Sequence, residues 1–191
     1  MTHPDDLISV LTDDHRELLQ LLTEVEILSG GESLRRALTD HLIVESVRHS
    51  VAEEAYLYPV SRRLLPDGDR CAAEALASHR RIESTLMRLE EPDVSDEKFS
   101  LLLSLLILDM REHIEDEEER IFPLVAAKVS EPELIALGAK AAKAKTDALR
   151  GPNASPQDAP LLHLLLRSGA GLVERAREYL CGQDKAYPET R

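Results

Sequence analysis

The chain has 191 residues, 23 basic against 36 acidic side chains for a formal net charge of −13, and 43% hydrophobic residues with four Tyr, two Phe and no Trp. That length suits one domain with its own core plus an extension, and a core of Leu, Ala, Val and Ile favours helices. An acidic chain without a basic run is a poor partner for nucleic acid, which needs Lys and Arg against its phosphates.

Apolar residues then recur at helical spacing. Residues 5–28 carry Leu7, Leu11, Leu18, Leu22 and Val25 on one stripe and stop at Gly30-Gly31. The next periodic run, 32–64, ends at the turn cluster Pro66-Asp67-Gly68-Asp69. A third run covers about 70–89, and a fourth starts after Ser95 as N-cap and continues to about 129. Four long amphipathic helices with short loops predict an all-α, up-down-up-down four-helix bundle. An Ala- and Lys-rich helix over 132–149 reads as peripheral, GPNASPQDAP at 151–160 as a linker, and 161–180 as a short apolar helix. The expected organisation is a bundle over 1–129, a peripheral helix over 130–150, the linker 151–160 and a C-terminal helical tail over 161–191.

The longest apolar stretch, Phe99 to Leu108, is ten residues with two serines, about half a bilayer span. The opening MTHPDD lacks the apolar run of a secretory signal, so a cytoplasmic protein without a membrane partner is expected. Cys71 and Cys181 cannot build a disulfide framework and read as reduced, small apolar residues.

One internal repeat organises the chemistry. His49, Glu53, Glu54 and Tyr58-Pro59 recur 64 residues on as His113, Glu117, Glu118 and Phe122-Pro123, and His15 recurs as His79. His15 is in register with Leu11 and Leu18, and His79 lies between Leu76 and Ile82, so each points inward. His49 and His113 each precede a glutamate by four residues, Glu53 and Glu117, which shares their face. A single inward histidine is ordinarily a hydrogen-bonded core residue. Four, with two inward carboxylates, are too many buried ionisable groups for a bundle to tolerate without compensation. Metal ions supply the missing positive charge and accept the imidazole lone pairs. Two-fold internal symmetry points to two ions, with two histidines each and Glu53 and Glu117 bridging, which leaves about two positions on each for a small ligand. Imidazole and carboxylate without thiolate suit iron, with manganese and zinc as substitutes. No His-Glu-x-x-His occurs, which speaks against a hydrolytic zinc site, and the Glu-x-x-His pairs of ferritin-type bundles are missing.

DDHREL at 13–18, HSVAEEAYLYP at 49–59, SHRRIE at 78–83 and HIEDEEERIFP at 113–123 resemble the hemerythrin-like (HHE cation-binding) domain of bacteria over about residues 5–127. The resemblance implies a non-haem di-iron centre with His15, His49, His79 and His113 as terminal ligands and Glu53 and Glu117 as bridges. It implies a protein that binds or reacts with dioxygen, hydrogen peroxide or nitric oxide, and some relatives break down hydrogen peroxide, so a peroxide-consuming activity follows from it. The invertebrate oxygen carriers place a further histidine one turn before the third-helix one, where this chain has Ala75. Reversible oxygen storage is therefore not expected: the reduced protein should consume dioxygen and accept peroxide.

Glu45, one turn before His49, and Glu83, one turn after His79, can replace that donor or hydrogen-bond a ligand histidine. Glu54 and Glu118, five residues after their histidines, fall toward the bundle flank; the oxygen carriers use a plus-five aspartate on their last helix, which makes Glu118 the runner-up to Glu117. His3, His41 and His163 read as structural or solvated. Tyr56, Tyr58 and Phe122 are expected to pack the core or the bundle end, with a Tyr hydroxyl reaching the metal site as the alternative. The competing functional class is an iron or oxygen sensor or interaction module, with the metal site regulatory or structural and the C-terminal tail a contact for a protein partner.

Overall fold

The computed structural model describes residues 3–28, 31–150, 171–174, 176 and 177. Helix α1, Leu7–Ile27, starts at Asp6, whose carboxylate accepts the Ser9 N–H at 2.8 Å. Helix α2, Glu32–Ala52, runs into a π-helical turn, Glu53–Leu57, and then into α3, Tyr58–Leu64. Helix α4 is Gly68–Leu89. Helix α5, Glu97–Asp116, repeats the second pattern, with a π turn at Glu117–Ile121 followed by α6, Phe122–Lys128. Helix α7 is Glu131–Arg150. The α2–α3 and α5–α6 pairs each form one bent rod, so the rods and helices α1 and α4 make the four-helix bundle that the periodicity predicts.

Three local expectations are corrected. Each rod carries a π turn where an unbroken α-helix was expected, because Pro59 and Pro123 lack an N–H and their rings crowd the carbonyl four residues back. The turn just upstream absorbs this, with the Tyr58 N–H bonding the Glu53 carbonyl and the Phe122 N–H the Glu117 carbonyl, five residues back in both cases. The N-cap of α5 is Asp96, not Ser95: the longer carboxylate reaches the Lys98 N–H at 2.8 Å. Helix α4 begins at Gly68, two residues early, because only a glycine lets it approach α3; a Cβ there would lie 2.1 Å from the Ser61 carbonyl oxygen.

The α7 helix packs on α1 more intimately than its composition suggests. Leu134 and Ala141 are buried, and a Cβ at Gly138 would sit 2.2 Å from the Asp5 carbonyl oxygen. The linker 151–160, most of the tail, His163 and Cys181 lie outside the described residues. Cys71 is buried and unpaired in a disulfide. No helix among the described residues is long and apolar enough to cross a membrane.

The apolar core is divided in two. One cluster, with Leu18, Leu22, Leu42, Ile82, Leu86 and Leu106, fills one end; a second, with Leu7, Leu11, Leu57, Ala75, Ile121 and Val125, fills the other. His15 falls between Leu11 and Leu18 and His79 between Ala75 and Ile82, so a polar layer lies sandwiched between two water-excluding plugs.

Candidate metal centre

All six inward-facing residues meet in that layer. His15, His49, His79, His113, Glu53 and Glu117 are buried, the two glutamates completely. The donor atoms form two groups, each within 4.8 Å: His15, His49, Glu53 and Glu117 in one, Glu53, His79 and His113 in the other, with Glu53 common to both. In the first group Glu53 Oε1 lies 3.1 Å from His49 Nε2 and 3.6 Å from His15 Nε2, and Glu117 Oε2 lies 3.5 Å from His15 Nε2. In the second, Glu53 Oε2 lies 3.1 Å from His79 Nε2 and 3.7 Å from His113 Nε2.

His15 Nε2, His49 Nε2, Glu53 Oε1 and Glu117 Oε2 are fully buried and have no hydrogen-bond partner. Four convergent orphans of this kind are costly in a protein interior. A cation between two imidazoles and two carboxylates satisfies all four at once, so the residues fit a metal ion.

The Nδ1 atoms of His15, His79 and His49 have carboxylate neighbours. His15 Nδ1 and Glu118 Oε1 are 2.9 Å apart, and His79 Nδ1 and Glu54 Oε1 3.1 Å. Each such pair joins one half of the repeat to the other. His49 Nδ1 faces Asp14 Oδ2 at 3.7 Å. Thus Glu54 and Glu118 orient histidines from outside the donor groups, a role that fixes ring and tautomer in metal sites. A plain helical wheel turns them away; their duplication in the repeat was the available signal.

Glu45 and Glu83 stand apart from both groups. Glu45 pairs with Arg48 and lies 3.6 Å from His41 Nε2, while Glu83 accepts the Arg177 Nε–H at 2.7 Å. Tyr58 packs in the apolar core, as expected, and also places its hydroxyl in the polar layer, the alternative raised by the sequence. The oxygen is 2.9 Å from Glu117 Oε1, 2.9 Å from His79 Nε2 and 3.3 Å from Glu53 Oε2. Its repeat counterpart Phe122 stacks on His15 with ring centroids 5.3 Å apart.

The electrostatics reflect a crowded ionisable layer. Burial opposes protonation of His15, but Glu117 and Glu53 outweigh it and raise its pKa to about 10. His79 rises to about 9 against the same burial, through Glu53 and Glu54. Glu53 is held well below its ordinary value despite burial, with His49 the leading stabiliser of the carboxylate. Glu117 is raised by burial and by the neighbouring Glu53 charge. Burial and the two carboxylates push the Tyr58 hydroxyl well up, so it keeps its proton.

Residues 6–125 match the sequence family described as the Hemerythrin HHE cation binding domain. The chain is 25% identical over 121 residues to an uncharacterized hemerythrin-like protein of Schizosaccharomyces pombe, an alignment covering 63% of this chain and 59% of that one. The chain therefore spans somewhat under two thirds of the length of this curated relative. The crystal structure of a hemerythrin HHE cation binding domain-containing protein from Mycobacterium kansasii superposes with a TM-score of 0.71 at 22% identity, over 90% of this chain and 98% of that one, which establishes a shared fold. With the family match covering most of the chain and two convergent His/Glu groups in its core, this chain belongs to the hemerythrin HHE cation-binding family.

Proposed function

We propose that the protein is a non-haem di-iron protein that binds and reacts with a small oxidant or diatomic ligand: dioxygen, hydrogen peroxide or nitric oxide. The observation that carries this reading is the pair of buried donor groups sharing Glu53, with orphaned lone pairs on one side of it. His15 and His49 would hold one ion, His79 and His113 the other, and Glu53 and Glu117 would bridge; manganese and zinc suit the same donors. Iron, when bound there, supplies electrons and open coordination positions to a small ligand.

The protein's own groups shape what can happen in the layer. The two apolar plugs keep bulk water away from it. Tyr58 holds a proton against Glu117 Oε1, close enough to donate a hydrogen bond to a ligand entering beside His79. Ala75 is buried in the apolar plug and offers no donor, so the His79 half has no further imidazole one turn below. This arrangement favours consumption of the ligand over its reversible storage. Oxygen titration of the reduced, iron-loaded protein, followed by deoxygenation under vacuum, tests the reading. The expected result is irreversible oxidation together with turnover of added peroxide; recovery of the reduced spectrum over several cycles would return the protein to the carriers.

A sensing role is the second reading, favoured by the packing of residues 171–174, 176 and 177 on the bundle next to the histidine layer. A protein without peroxide turnover whose tail changes its protease sensitivity on oxidation of the iron would support it.

A further inference from the structure

The two halves of the histidine layer differ in what stands behind their outer carboxylates. Glu118, on His15, is 39% exposed, and among the described residues no Lys or Arg pairs with it. Glu54, on His79, is 25% exposed and is gripped by Arg177, whose Nη1 and Nη2 each donate at 3.0 Å to one of its oxygens. The Arg177 Nε–H donates to Glu83 Oε1 at 2.7 Å, so one guanidinium ties the π turn after α2 to α4. The segment bearing it is itself anchored. Leu172, Val173 and Ala176 are buried in the core cluster that contains Leu86, and the Gly171 and Val173 N–H groups donate to the Glu90 carboxylate.

We propose that Arg177 is a positioning residue for the metal centre, fixing the Glu54 carboxylate that orients His79 and so acting on the His79/His113 half alone. The inference rests on the two-ion reading above. A guanidinium holds a carboxylate in one plane through two parallel bonds, which an ammonium cannot do. The bidentate grip leaves Glu54 Oε1 aimed at His79 Nδ1 at 3.1 Å and the Nε2 edge of that ring facing Glu53 and His113. Without it, Glu54 is free to turn toward solvent and the ring loses its fixed tautomer. Among the described residues the His15/His49 half has no such clasp, so the same loss leaves it untouched. The C-terminal segment thus joins the metal layer to the far core through one side chain.

The test uses the full-length chain with Zn²⁺ as a diamagnetic probe, read by NMR of ¹⁵N-labelled histidine rings, for the parent, Arg177→Gln, Arg177→Lys and Leu22→Ala. In Arg177→Gln, Zn²⁺ affinity at His79 and His113 should fall about three- to ten-fold, less than the ten- to a hundred-fold for loss of an outer hydrogen-bonding partner such as Glu54 itself, while binding at His15 and His49 stays at the parental value. Without metal, the Nδ1–H signal of His79 should exchange faster than in the parent and that of His15 should not. Arg177→Lys should recover only part of the affinity, and Leu22→Ala, a truncation in the same core cluster but on α1, should lower Tm without selective loss at His79 and His113. Parental occupancy of His79 and His113 in Arg177→Gln, or the same selective loss in Leu22→Ala, would overturn the inference while leaving the two-ion reading intact. A parent chain that places no Zn²⁺ on His79 and His113 would overturn both.

Discussion

The halves of the repeat carry the same donors and differ in what surrounds them. Around His15 the neighbours are a stacked Phe122 ring and the half-exposed Glu118; around His79 they are the Tyr58 hydroxyl and a Glu54 clamped by Arg177. The orphaned imidazole nitrogens facing inward belong to His15 and His49, whereas His79 Nε2 lies within hydrogen-bonding distance of Tyr58 and of Glu53. Duplication thus supplies a symmetric donor set, and single-residue differences outside that set make the two positions chemically distinct. One half presents buried donor atoms without hydrogen-bond partners beside an aromatic ring. The other presents a proton donor and a rigid outer carboxylate.

The largest expected effect removes what the halves share. His113→Ala or Glu117→Ala leaves buried charge uncompensated, at a cost of about 3–5 kcal/mol when one partner of a buried pair is lost. Both variants should also lose metal, since metal affinity is part of the folding free energy. His163→Ala should melt like the parent, and calorimetry with and without iron checks all three. Equal melting of all three in iron would place the site elsewhere.

Next in size is the outer shell. Glu54→Gln should weaken metal binding about ten- to a hundred-fold. Glu118→Gln should do less, because Glu118 is more exposed and water can take its place beside His15. Equilibrium dialysis of both variants at one pH measures the gap, and equal losses would dissolve the contrast between the halves.

Exchanging the aromatic residues sharpens it further. Tyr58→Phe strips Glu117 Oε1 of its donor and should cost about 1–3 kcal/mol in the metal-free protein, the penalty for an unsatisfied buried acceptor. Urea midpoints of the metal-free variant provide the number. Phe122→Tyr should leave the His79 half unchanged and give the His15 half a hydroxyl.

The pH profile of metal-free stability tests the layer without any substitution. His15 and His79 rise from 6.5 to about 10 and about 9, so their contribution is complete below 6.5 and disappears as pH climbs through 9 and 10. Glu54 falls from 4.5 to about 2 against its burial, through His79 and Arg177, so its contribution is present above 4.5 and disappears as pH drops toward 2. Urea midpoints across that range should show a plateau near pH 5–6.5. Glu54→Gln should flatten the acid limb and spare much of the alkaline one.

The four-helix pattern and the six convergent residues were legible in the sequence, because a 3.6-residue period with a 64-residue repeat states which faces are shared. Glu54 and Glu118 were harder. At five residues from their histidines they leave the inner stripe of a regular helix, and the π turns beginning at Glu53 and Glu117 swing them back. Those turns follow from Pro59 and Pro123, visible as residues but read as helix-compatible. Tyr58 was legible as an aromatic of the core; that its hydroxyl reaches three layer residues depends on the same bend. The Arg177 contact joins residues 123 positions apart and has no periodicity to announce it.

The count of metal ions per chain bears most directly on the account, because both the symmetry argument and the contrast between halves require two positions. Anaerobic reconstitution of the full-length protein with Fe²⁺, removal of unbound metal and elemental analysis against protein concentration should give two ions per chain, falling in Glu117→Ala. One ion per chain, or none, would contradict it.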